Sequence, residues 1–156
     1  MGCPVGSVLV GSAKDMQVAR ETRKLLGGWM RQSGILASCM LVAMEDWEER
    51  LTLDNDNCQF IASELNDPAS GTYCDLSTVQ TNMVHFFLDK KVTRNTKKRK
   101  GLDPASLCKI IREKYNILML PSFANDCIRI VTHRDVDRAA LELTNECIKA
   151  ELKPYL

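Results

Sequence analysis

Two histidines, His85 and His133, and seven cysteines of which no two stand within four residues offer no closely spaced ligand pair. A structural zinc site converges such pairs, so no metal is assigned. A C-x-x-C redox motif is missing too. An odd number of scattered cysteines fits a reducing, intracellular, cytosolic home, where Cys is a small apolar core residue. No apolar run reaches the roughly 18 residues of a membrane span. The opening stretch MGCPVGSVLVGS has no basic flank and makes a poor secretory signal. An excess of one charge is also missing: 21 Lys and Arg face 20 Asp and Glu, for a net charge of +1. Seven of the basic residues lie in 90–100 (KKVTRNTKKRK), leaving the rest of the chain acidic. A global nucleic-acid surface is excluded on that layout, and only this stretch forms a basic patch.

What is present is an ordinary globular composition. The 156 residues are about one domain's worth of chain, with 45% hydrophobic and 26% charged residues. Disordered, collagen-like and long coiled-coil chains do not read this way.

Residues 5–10 (VGSVLV) read as a short, covered strand. Ser12 and Asp15 can cap a helix that follows to about Leu26, and Gly27-Gly28 ends it. Leu36, Met40, Met44, Trp47, Leu51, Cys58, Ile61 and Leu65 recur at helical spacing. They predict one long helix, or two nearly collinear ones with a weak point near Asp54–Asn57. Residues 66–78 are turn-rich and read as loop. Val79–Leu88 reads as a strand apolar on both sides. The basic stretch 90–100 has no periodicity and reads as exposed loop. Asp103-Pro104 is a strong helix start, with Asn116 at the other end. Ile117–Leu120 and Cys127–Thr132 read as two short strands, and Asp135 as the cap of a last helix with Val136, Ala140, Leu143, Cys147 and Ile148 inward. The order suits an α+β domain, an antiparallel sheet with helices on one face.

Few residues stand out chemically. Gly6-x-x-x-x-Gly11-Ser12 lacks the lysine of a phosphate-binding P-loop. Gly27-Gly28-Trp29-Met30-Arg31-Gln32 places a guanidinium just before a new helix, the makings of a phosphate site. The alternative is a glycine cap beside a surface arginine. Arg129 stands inside the apolar strand Ile128-Arg129-Ile130-Val131-Thr132 and is expected in a covered site or cleft. Its partner there is a carboxylate ligand or an internal Asp or Glu. His85 and His133 read as structural histidines.

Four ordered blocks carry a resemblance: Cys3-Pro4-Val5-Gly6-Ser7, Gly27-Gly28-Trp29-Met30-Arg31-Gln32-Ser33-Gly34-Ile35-Leu36, Gln80-Thr81-Asn82-Met83-Val84, and Arg129-Ile130-Val131-Thr132-His133-Arg134-Asp135-Val136. In this order they resemble the C-terminal half of the low-specificity L-threonine aldolases. These belong to the aromatic amino acid beta-eliminating lyase group of pyridoxal 5'-phosphate (PLP) enzymes, with an aspartate-aminotransferase-like fold. The likeness spans nearly the whole chain and fades at 66–78 and 90–100. It implies that residues 1–30 are a remnant strand and helix of the large PLP-binding domain, and that 31–156 are a long helix and the small C-terminal domain. The family cleaves threonine and allo-threonine to glycine and an aldehyde, with the cofactor ring as electron sink. By position, Arg129 would grip the substrate carboxylate, while Arg31 and Lys24 would serve the PLP phosphate. The family's Schiff-base lysine falls just before residue 1. No catalytic residue is therefore assigned within 1–156, and the chain alone is expected to be inactive and not to hold PLP. Homo-oligomerisation or association with full-length subunits is expected, through apolar surface in residues 1–36. Two other readings remain: a non-catalytic module binding full-length aldolase subunits, and a nucleic-acid-binding basic loop at 90–100.

Overall fold

The computed structural model describes residues 2–94 and 100–156. The chain divides into two compact units, Met1–Glu48 and Glu49–Leu156.

The first unit is built on two helices. The first, α1, is Ala13–Leu25, and the Ser12 hydroxyl accepts the Asp15 N–H at its start. The second, α2, is Gly34–Ala43 and is apolar almost all round, yet only Ala43 in it is buried. Residues 5–10 form no strand and pair with none among the described residues, so the expected strand and its covered faces are corrected. Val8, Leu9 and Val10 are all exposed.

The expected long helix is also corrected. Helix α3 is Trp47–Leu65. The break falls at residues 44–46, not at Asp54–Asn57. There the Met44 N–H reaches both the Met40 and Leu41 carbonyls, and the Glu45 N–H reaches Val42 at 3.2 Å. This i→i+3 bonding tightens the last turn and stops the helix. Asp54 and Asn57 do not weaken α3, because both are buried and tied across the second unit. The Asp54 carbonyl accepts the Thr132 hydroxyl at 2.7 Å, and Asn57 Nδ2 donates to the Val136 carbonyl at 3.2 Å.

The second unit carries a four-stranded antiparallel sheet. Its strands are β1 (Thr72–Tyr73), β2 (Met83–Leu88), β3 (Leu120–Pro121) and β4 (Ile128–Val131), in the order β1-β2-β4-β3. Edge strand β1 lies in the segment read as loop. Gly71 opens it with φ of +84°, and a Cβ there would come within 2.7 Å of Val92. A single helical turn, α4 (Lys90–Thr93), follows β2, capped by Asp89. Residues 95–99, most of the basic loop, lie outside the described residues. Helix α5 (Pro104–Tyr115) starts on the Asp103 cap and stops at Asn116, whose φ of +57° is the left-handed conformation of a helix terminus.

The last helix, α6, is Arg138–Leu152 and is capped by Asp137 rather than Asp135. Asp135 is occupied in a turn, its N–H donating to His133 Nδ1, whereas Asp137 accepts the Ala140 N–H at 2.8 Å. The shift also changes the buried face: Leu141, Cys147, Ile148 and Leu152 are inside, and Leu143 faces out.

Alternation along the strands decides where the core sits. Val84, Phe86 and Leu88 of β2 and Ile128 and Ile130 of β4 point inward, joining Ile61 and Leu65 of α3, Leu107 and Ile111 of α5, and Ile148 of α6. Each fully buried side chain of this size contributes about 1.5–3 kcal/mol. The opposite sheet face is open, so the reading of β2 as buried on both sides is corrected: Met83 is 43% exposed.

Candidate functional site

The open sheet face holds Arg129. Strand register sets it directly opposite His85 on β2 and Leu120 on β3. One row along, Met83 faces Val131; on the other side Tyr73 and Phe87 stack with centroids 5.0 Å apart. Directly opposed residues have Cβ atoms about 5 Å apart, so Arg129 and His85 are immediate neighbours on this face. Arg129 is exposed, which corrects the expectation of a covered cleft. Its side chain makes no hydrogen bond or ion pair among the described residues, so the internal salt bridge is not formed there. His85 is exposed on the same face, and His133 sits in the turn after β4, beside Asp135 at 3.7 Å.

The position of Arg129 is set by a latch three residues away. Asn82 Nδ2 donates to the Thr132 carbonyl, the Thr132 N–H donates back to the Asn82 carbonyl, and the Thr132 hydroxyl reaches Asp54. This locks the end of β2 to the end of β4 and β4 to α3. The chemical outcome is an exposed guanidinium on a firmly tied strand, suited to two parallel bonds to a carboxylate. Neither the latch nor His85 stands out as a site residue in the sequence. Asn82 and Thr132 do fall inside two of the four blocks.

Lys24 and Arg31 lie in the first unit. Lys24 is in the last turn of α1. There the chain reverses: Gly27 has φ of +80°, and the Gly28 N–H bonds the Arg23 carbonyl at 2.8 Å. The turn brings Trp29 back over α1, with the Lys24 ammonium 5.3 Å and the Arg23 guanidinium 5.5 Å from its ring centroid. Arg31 follows in a turn before α2, where Ser33 makes no side-chain cap and the Ile35 N–H donates to the Gln32 carbonyl at 3.3 Å. Arg23, Lys24 and Arg31 form no ion pair among the described residues. Exposed cations without carboxylate partners are a donor set that fits a phosphate.

The remaining candidates offer less chemistry. Burial pushes the Cys58 and Cys108 thiols up to about 11, far from the thiolate a nucleophile needs. No group of three metal-ligating side chains occurs among the described residues. Among them, too, no helix is long and apolar enough to cross a membrane.

Comparison with known proteins places this chain in a family. Residues 1–90 match the beta-eliminating lyase family. Low-specificity L-threonine aldolase 1 of Arabidopsis thaliana is 31% identical over 150 residues, covering 96% of this chain and 38% of the relative. The low specificity L-threonine aldolase of Escherichia coli (strain K12) is 33% identical over 141 residues, covering 90% of this chain and 37% of its own. The chain thus spans less than two-fifths of the length of these relatives. Among solved structures, a lysine-to-alanine mutant of C-DES with glycine covalently linked to its PLP cofactor superposes with a TM-score of 0.57. That match is 19% identical and covers 75% of this chain and 28% of the other, so it speaks to the fold: the α+β architecture matches part of a PLP enzyme. With over half its residues matched to the family model, and homology to low-specificity L-threonine aldolases along most of its length, the chain belongs to the beta-eliminating lyase family.

Proposed function

We propose that residues 1–156 supply the substrate- and phosphate-gripping portion of a PLP-dependent aldehyde-lyase that splits L-threonine or allo-threonine into glycine and acetaldehyde. Arg129 carries this reading: an exposed guanidinium without an ion partner among the described residues, at the centre of a sheet face whose far side is packed core. Arg129 takes the amino acid carboxylate through two parallel N–H···O bonds and so fixes the orientation of Cα. Lys24 and Arg31 hold the cofactor phosphate. PLP, when bound, supplies the electron sink that stabilises charge left on Cα as the Cα–Cβ bond breaks.

By the resemblance, the lysine that bonds the cofactor lies before residue 1. Cleavage then needs that upstream stretch, in the same polypeptide or a neighbouring subunit, and residues 1–156 by themselves are inactive. Exposed Val10, Leu25, Leu26 and Ile35 favour association with such subunits, and the seven free cysteines favour an intracellular setting.

A chimera provides the test. Residues 1–156 replace the matching stretch of the Escherichia coli low specificity L-threonine aldolase, and acetaldehyde release is followed. The expected result is threonine cleavage by the chimera, lost on Arg129→Ala, and none by residues 1–156 with added PLP. A folded, PLP-loaded chimera that leaves threonine intact would overturn the reading. Borohydride reduction of residues 1–156 with PLP, followed by peptide mapping, should give no single stoichiometric lysine adduct.

A further inference from the structure

We infer that Trp29 is a positioning residue for the phosphate site, and that Arg23 is a third cation in it beside Lys24 and Arg31. This rests on the phosphate reading proposed above and extends it to two residues with no role so far. Adjacent residues on a helix diverge by about 100° around its axis, so Arg23 and Lys24 have no intrinsic reason to meet. Trp29 gathers both, with the guanidinium at 5.5 Å and the ammonium at 5.3 Å from one ring centroid.

The Gly27-Gly28 reversal makes that possible. A Cβ on Gly28 would stand 3.2 Å from the Arg23 carbonyl oxygen and 3.0 Å from its Cγ, so the tight return favours glycine. Trp29 is itself 52% exposed. An indole so placed belongs to no buried core, and both cations lie over its ring. The negative ring face eases the repulsion between two like charges but does not neutralise them. A phosphate dianion does, and it meets both charges already ordered. The indole thus lowers the ordering cost of phosphate binding and favours a dianion over a singly charged ligand.

The test uses the cofactor-free form of the chimera described above, which supplies the upstream stretch, and pyridoxamine 5'-phosphate, which has no aldehyde to react with lysine, in equilibrium dialysis against unphosphorylated pyridoxamine. The phosphorylated probe should bind and pyridoxamine should not. Trp29→Leu should weaken binding about fivefold through two lost exposed cation–π contacts, with Trp29→Phe retaining most of the affinity. Arg23→Met should weaken it by a similar factor, and far-UV circular dichroism should stay unchanged throughout. Wild-type affinity in Trp29→Leu, with binding lost in Lys24→Met, would overturn this inference and leave the phosphate reading standing. A loss in Trp29→Leu that Trp29→Phe does not restore would also overturn it, since a bulk-packing role behaves that way. No binding by the unsubstituted chimera, or binding indifferent to both Lys24→Met and Arg31→Met, would overturn both.

Discussion

Asn82 and Thr132 hold each other from both sides: Asn82 Nδ2 donates to the Thr132 carbonyl at 2.7 Å, and the Thr132 N–H donates to the Asn82 carbonyl at 2.9 Å. The Thr132 side chain is fully buried and donates its hydroxyl to the Asp54 carbonyl at 2.7 Å. Thr132→Val keeps the shape and removes that donor, leaving a buried carbonyl short of a partner. A loss of about 1–3 kcal/mol is expected, read as a lower urea midpoint with unchanged slope.

Arg129 should behave in the opposite way. It is exposed and touches no charged partner among the described residues, so Arg129→Ala should change stability by no more than about 0.5 kcal/mol. In the chimera, Arg129→Lys should raise the KM for threonine about tenfold or more, because a point charge replaces a fork matched to the carboxylate. Equal KM values for Arg and Lys would show that the fork is not used.

Acid should unfold the second unit through its helix ties. The Ser106 hydroxyl beside Asp103 holds that carboxyl below its ordinary range, and the Lys114 ammonium does the same for Glu151, with bonds of 3.0 and 2.9 Å to its two oxygens. A carboxyl whose folded pKa lies below its unfolded one stabilises the fold at neutral pH. Its contribution fades as pH falls from about 4 through the lower folded value. Asp103→Asn keeps the cap and removes the titration, so its midpoint against pH should be flatter below about pH 4. An unchanged acid profile would count against the Asp103 contribution.

Thiol labelling should separate the cysteines by burial. Cys58 and Cys108 are buried, with pKa values raised to about 11 by desolvation, while Cys3 and Cys39 are half-buried. Iodoacetamide at pH 8 should label Cys3 and Cys39 in the folded chain and reach Cys58 and Cys108 only after urea is added, as read by peptide mass spectrometry.

Elements with local causes were legible in the sequence. Asp103-Pro104 and Asn116 bracket α5 because a cap, a fixed proline φ and a left-handed stop each involve groups within a few residues. Ser12 starts α1 for the same reason. Where two local signals competed, the nearer turn decided: Asp135 was spent on His133, and Asp137 capped α6. The break at residues 44–46 carried no glycine or proline to announce it. Strand β1 was hidden because two residues have no period, and pairing with β2 defines it.

The candidate site divides in the same way. The residues Lys24, Arg31 and Arg129, and the four ordered blocks that point to the family, are properties of the sequence alone. The open face around Arg129, the His85 beside it and the Asn82–Thr132 latch belong to the tertiary structure, because their partners are far apart in the chain. The latch joins residues 50 apart, and the Thr132 tie to Asp54 spans 78. Alternation along β4 puts Arg129 on the face opposite Ile128 and Ile130, but it does not say which face the helices cover. Packing of α3, α5 and α6 against Val84, Phe86, Ile128 and Ile130 made that choice, since burying those side chains leaves Arg129 on the side facing water.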